Sequence, residues 1–210
     1  MKPLGKSEKA SLLEATEKYH DHLDLAADYC RARGIDRDTA RDFKLGVVLD
    51  PTTEDEQARG RLSIPSLGFG DEPYGLTFRA MNGEEPKYLH RAGPTRLYNV
   101  RAIHRATDVI AICEGQIDAL TLEMCGIPAV GVAGANAWKR HHSRLFGGFS
   151  RVLVLGDGDS AGKTFATKVR ESIQTAIVVT LKEGEDVNST YVSHGKDGVL
   201  ALLGSESDSE

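Results

Sequence analysis

From Asp108 onward the chain alternates short, continuous apolar runs with helix-like stretches, and few architectures accept that pattern. Residues 109–113, 127–132, 151–155 and 176–181 are strand candidates with abundant β-branched side chains. Residues 117–125, 137–146 and 160–173 lie between them and read as helices. Strands apolar along their whole length need cover on both faces, and helical crossovers make successive strands parallel. The expectation is therefore an α/β fold of right-handed βαβ units, with a parallel sheet flanked by helices. A last helix at 196–203 precedes an acidic tail, 205–210, whose composition predicts disorder.

The first half has a different texture. Leu12, Leu13, Tyr19, Leu23, Ala26, Ala27 and Cys30 recur at helical intervals, which predicts a helix over 7–34 ending at Gly34. Asp36 or Asp38 can cap a short helix at 39–43, and the polar stretch 52–60 reads as a loop. Between 61 and 98, short apolar pieces alternate with Gly and Pro, as in a small, mostly β subdomain. The predicted organisation is a smaller α+β basic subdomain with a helical lead-in (1–106), then the parallel-sheet domain (107–204).

Charge is segregated. The formal net charge is −5, which argues against a surface that coats nucleic acid everywhere but permits a local basic groove. No Asp or Glu occurs from 86 to 107, where Lys87, Arg91, Arg96, Arg101 and Arg105 fall; 124–156 is likewise acid-free. Such runs are also compatible with plain solvated faces. Cys30, Cys113 and Cys125 are too far apart for a zinc ribbon or a disulfide framework. With no apolar stretch of membrane-spanning length, a soluble cytoplasmic protein is expected.

Functional groups of an open parallel sheet collect beyond the carboxyl ends of its strands. Glu114 follows the first strand, Asp157-Gly158-Asp159 follows the third, and Asp186 lies beyond the fourth. Residues i and i+2 at a strand exit project to the same side, so Asp157 and Asp159 can share hard cations that demand oxygen ligands. Their alternative is a turn residue followed by a helix N-cap, which needs only one of the two. The string through Lys163-Thr164 imitates a P-loop, yet the first required glycine is Asp157. An EF-hand fails too, because Ala161 and Lys168 occupy ligand positions. Lys163 either contacts a phosphate or lies on the helix surface. Asp118, in the first turn of the next helix, is explained equally by the helix dipole.

Glu114-Gly-Gln-Ile-Asp118-Ala, Asp157-Gly-Asp159-Ser-Ala-Gly and Gly184-Glu-Asp186-Val-Asn188 together resemble the TOPRIM domain of primases, topoisomerases, small nucleases and recombination mediators. Upstream, Arg61-Leu-Ser-Ile-Pro, Gly75-Leu-Thr-Phe-Arg79, Pro86-Lys87-Tyr88-Leu89 and Leu97-Tyr98-Asn99 resemble the basic subdomain of the bacterial and phage DNA primase core. The stretch 27–48 is similar to the helical lead-in of that core. Two departures stand out. The last motif, usually Asp-Pro-Asp, ends in the neutral Asn188, and neither a zinc-binding module nor a helicase domain is matched, which implies a minimal, phage-type form.

The resemblance implies RNA primer synthesis on single-stranded DNA from ribonucleoside triphosphates, dependent on Mg2+ or Mn2+, with two ions and no zinc. It implies Glu114, Asp157 and Asp159 as catalytic residues, and these with Asp186 as metal ligands. Arg61, Arg79, Lys87, Tyr88, Arg96, Asp118 and Lys163 are the implied template and nucleotide contacts. Implied partners are a replicative helicase and a separate zinc-binding chain. The alternatives are a metal-dependent nuclease of the same domain family, or a non-catalytic DNA-binding subunit.

Overall fold

Helical periodicity at the N-terminus produces α1 (Lys6–His20), which buries Leu12, Ala15, Thr16 and Tyr19. The expected single helix breaks after this point. His20 Nδ1 is hydrogen-bonded to the Leu45 carbonyl at 2.6 Å, so the end of α1 is tied to the chain entering the first strand. A 3-10 turn, Leu23–Ala26, then leads into α2 (Ala27–Ala32). Asp36 caps α3 (Arg37–Asp42), accepting the Thr39 N–H at 2.6 Å, as an Asx N-cap should. The stretch predicted as a loop contains a second 3-10 segment, Thr53–Ala58, that buries Asp55 and Ala58.

The computed structural model describes residues 4–91, 97–134 and 137–204, and the chain divides into two units, Met1–Pro94 and Thr95–Glu210. The first unit carries an antiparallel sheet of β1 (Gly46–Val47), β2 (Leu62–Leu67), β3 (Pro73–Arg79) and β4 (Tyr88–His90), in that order. Leu12, Ala15 and Tyr19 of α1 form a core with Leu76 and Phe78 of β3, Val48 and Ala58. Below it lies a polar knot. Asp55 accepts from the Tyr19 hydroxyl (2.7 Å) and the Thr52 hydroxyl (2.9 Å), and is paired on both oxygens with the Arg91 guanidinium.

The second unit contains α4 (Ala102–Arg105), β5 (Val109–Cys113), α5 (Gln116–Met124), β6 (Ala129–Gly131), β7 (Arg151–Leu155), α6 (Ser160–Ser172), β8 (Ala176–Val179) and α7 (Val187–Gly204). Its sheet runs β6-β5-β7-β8 and every pair is parallel, as continuous apolar strands with helical crossovers require. Ile110, Ile112, Val152 and Val154 pack with Phe165, Ala166 and Val169 of α6. The predicted helix at 137–146 is only a 3-10 segment, Arg140–Leu145. Conversely, α7 begins at Val187, well before the expected position. Asp186 caps it, accepting the Ser189 N–H at 2.6 Å, while the Ser189 hydroxyl accepts the Asp186 N–H at 2.8 Å. Gly195 interrupts α7 with φ 66°. Among the described residues no helix is long and apolar enough to cross a membrane.

Candidate functional site

Because the second sheet is parallel, its strands deliver their carboxyl ends to one side. Cys113 of β5 pairs with Leu155 of β7, and Leu155 with Val179 of β8. Glu114 therefore leaves the sheet one residue beyond Cys113, and Asp157 two residues beyond Leu155, on neighbouring central strands about 4.8 Å apart. Both side chains are only partly exposed, whereas Asp159 is exposed.

Two glycines bring the remaining acids close. The Gly158 N–H donates to the Glu185 carbonyl at 2.8 Å. A Cβ on Gly158 would overlap the Lys182 carbonyl oxygen, so only glycine lets the Asp157–Asp159 turn lie against the 182–186 loop that carries Asp186. On the other side, a Cβ on Gly162 would overlap the Asp157 backbone. The first turn of α6 thus folds directly over the β7 exit, and Asp159 caps it, its Oδ1 accepting the Gly162 N–H at 2.8 Å. The cap role and a ligand role for Asp159 are compatible, since a carboxylate has two oxygens. Lys163 follows on the exposed face of α6.

Asp118 and Asn188 stand deeper. Asp118 Oδ1 accepts the Asn188 backbone N–H at 3.1 Å, and the Asn188 amide donates to the Thr121 hydroxyl at 3.0 Å. Asp118 and Asn188 are buried, so this pair ties the first turn of α7 to α5. The buried Cys113 thiol is pushed well above its usual range by burial, with further contributions from the negative charges of Asp118 and Asp157. The negative charges of Asp118 and Asp157 thus both reach the end of β5.

The donor set fits a hard divalent ion. All four acids offer carboxylate oxygens, which suit Mg2+ or Mn2+. Asp159 and Asp186 each use Oδ1 for a helix cap and retain a second oxygen. Among the described residues, however, no three His, Cys, Asp or Glu side chains stand close enough to hold an ion alone. Glu114, Asp157, Asp159 and Asp186 share one end of the sheet without forming a closed cage.

In the first unit, the cross-strand register sets Arg79 opposite Tyr88. Arg79 is 6% exposed, its Nη1 donates to the Tyr88 hydroxyl, and its guanidinium lies 5.0 Å from the Tyr88 ring centroid. Lys87 Nζ is 5.9 Å from the same ring. Arg61, also buried, donates to the Pro86 carbonyl at 2.6 Å. The four predicted basic and aromatic residues thus gather at one edge of this sheet. Arg96 lies outside the described residues.

The Toprim domain family matches residues 109–197. The chain is 42% identical to the Gene 57 protein of Mycobacterium phage D29, over 69% of this chain and 99% of that protein. It is 27% identical to the DNA primase of Pseudomonas putida, over 90% of this chain. The chain belongs to the same family as that phage protein, carries a Toprim domain and is homologous to bacterial DNA primases. It spans 36% of the length of the Pseudomonas putida primase. In fold it matches the RNA polymerase domain of Mycobacterium tuberculosis primase DnaG, solved with a double-stranded DNA oligomer bearing a 6-nucleotide overhang. The TM-score is 0.76 at 18% identity, covering 96% of this chain and 81% of that chain.

Two motifs quoted from the sequence have structural roles here that the sequence reading missed. The Leu97-Tyr98-Asn99 motif docks on β6: the Tyr98 N–H donates to Gly131 O at 2.8 Å, and Gly131 N–H returns the bond at 3.1 Å. The Asn99 amide then donates to Glu123 (2.7 Å) and Ala129 O (2.8 Å), and Arg105 pairs with Glu123 at 2.7 Å. The second is Gly158, whose close approach to Lys182 is invisible in one dimension.

Proposed function

We propose that the chain is the catalytic core of a DNA primase, synthesising short RNA primers on single-stranded DNA by metal-dependent nucleotidyl transfer. The observation that carries this reading is the pair Glu114 and Asp157 at adjacent strand exits, with the Gly158 hydrogen bond drawing Asp159 and Asp186 alongside. Similarity to DNA primases over 90% of the chain supports primer synthesis over the other reactions of Toprim proteins.

In this reading residues 1–106 form the basic subdomain with its lead-in, and 107–204 the catalytic domain. Asp157, Asp159 and Asp186, with Glu114, would hold two Mg2+ or Mn2+ ions. Bound there, the ions would neutralise triphosphate charge and acidify the attacking 3′-hydroxyl. Glu114, partly buried, is placed to be a further ligand or to accept a proton from that hydroxyl. Arg61, Arg79, Lys87 and Tyr88 would receive template or nucleotide phosphates and bases, and Lys163, exposed one turn from the acids, a further phosphate. Asp118 acts from behind by fixing the Asn188 backbone, and with it the loop that carries Asp186. A replicative helicase and a separate zinc-binding chain are the expected partners, in the cytoplasm of a bacterial host.

The test is to incubate the chain with single-stranded DNA, labelled ribonucleotides and Mg2+ or Mn2+, then separate the products. Short RNA chains complementary to the template are expected. Shortened DNA without RNA synthesis contradicts the proposal and favours a nuclease.

A further inference from the structure

Arg79 is clasped from two sides. Besides Tyr88, its guanidinium lies 5.9 Å from the ring of Tyr29 on α2, and Arg33, one helical turn along, lies 5.8 Å from that ring. The result is an alternating series of cation and ring: Arg33, Tyr29, Arg79, Tyr88, Lys87. Its central member is the buried one, and Arg79 Nε is buried without a hydrogen-bond acceptor. A guanidinium so withdrawn from water depends on the faces of its flanking rings, because cation–π attraction grows as the cation is desolvated. The Tyr29 phenol responds in kind. Burial pushes its pKa up, and the charges of Arg79 and Arg33 oppose the shift.

We propose that Tyr29, backed by Arg33, is a positioning residue for the nucleic-acid face of the first unit. Its ring fixes the guanidinium of Arg79, which through its contacts with Tyr88 sets Tyr88 and the exposed Lys87 in the orientation that receives a phosphate of a single-stranded template. The proposal rests on the assignment of Lys87 and Tyr88 to template binding. Tyr29 itself touches no template; it acts through Arg79. The ring is the part assigned this role: the buried Tyr29 hydroxyl stands near enough to Arg79 to feel it but makes no hydrogen bond of good geometry.

Binding of a fluorescent oligo-dT to the full chain, measured by anisotropy over a range of salt concentrations, tests this with three variants. Lys87→Ala is expected to weaken binding and to flatten the log K against log salt slope by about 0.7, the loss of one phosphate contact on a single strand. Tyr29→Leu is expected to bind about tenfold more weakly, with the slope flattened to a similar degree. Tyr29→Phe, which keeps the ring, is expected to match the unsubstituted chain within about twofold. Wild-type binding by Tyr29→Leu, or weaker binding with an unchanged slope, overturns the positioning role; so does equal weakening by Tyr29→Phe. Wild-type binding and slope in Lys87→Ala overturn instead the assignment on which the proposal rests. Should Tyr29→Leu melt below the assay temperature, Tyr29→Met fills the space without a ring and carries the same expectations.

Discussion

Asp157→Asn is expected to lower nucleotide incorporation by about a thousandfold, with the fold and melting temperature nearly unchanged. Electrostatic groups aimed at developing charge are worth about 10²–10³ each in rate, and phosphoryl transfer relies almost wholly on such groups. Asp157 is the acid best placed for this. It leaves β7 beside the Glu114 exit of β5, its backbone lies under the first turn of α6 at Gly162, and its charge reaches the buried Cys113. Single-turnover incorporation on a primed template checks the rate, and a thermal melt checks the fold. A loss of less than about tenfold would mean that Asp157 serves the turn rather than the reaction.

The second large effect concerns stability. Asp55→Asn is expected to destabilise the first unit by about 3–5 kcal/mol, because it removes the buried one of the two carboxylates paired with Arg91 and leaves only the more exposed Glu54, at 3.2 Å. The Asp55 side chain is fully buried and that of Arg91 is 9% exposed. Arg91 also donates to the Ser11 and Thr52 hydroxyls at 3.1 and 3.2 Å, so the pair joins α1, the 52–58 segment and the end of β4. Replacing both partners by apolar residues of similar size, Asp55→Leu with Arg91→Met, is expected to recover most of the loss, since the cost lies in the unpaired charge. Urea unfolding of the single and double variants measures both values.

The features legible in the sequence are those decided by local patterning. Continuous β-branched runs at β5 and β7 announced a parallel sheet, and the parallel sheet placed Glu114 and Asp157 at one end without knowledge of any contact. The β character of the first unit was legible from apolar pieces separated by Gly and Pro, though not its antiparallel pairing. What stayed hidden depends on partners distant in sequence. The helix over 7–34 looked continuous because nothing in its own periodicity reveals the Leu45 carbonyl waiting at His20. The start of α7 was missed although Asp186 and Ser189 have capping-box spacing, because the strand exit made Asp186 read as a ligand alone. Asn188 read only as a neutral departure from the motif, whereas its amide is engaged with Thr121 and its backbone with Asp118. Tyr29 lay within the 27–48 resemblance to the lead-in without a role attached to it; only folding brings it to Arg79.

In the proposed function the acids at the sheet end form an open divalent-metal site completed by a nucleotide. Mn2+ binding, followed by the electron paramagnetic resonance of the free ion, tests this directly in the unsubstituted chain and in Asp157→Asn. Weak binding by the chain alone is expected, with clear tightening when a ribonucleoside triphosphate is added beyond what the nucleotide binds by itself, and loss of that tightening in Asp157→Asn. Tight binding without nucleotide, or tightening that survives Asp157→Asn, would contradict the proposed function.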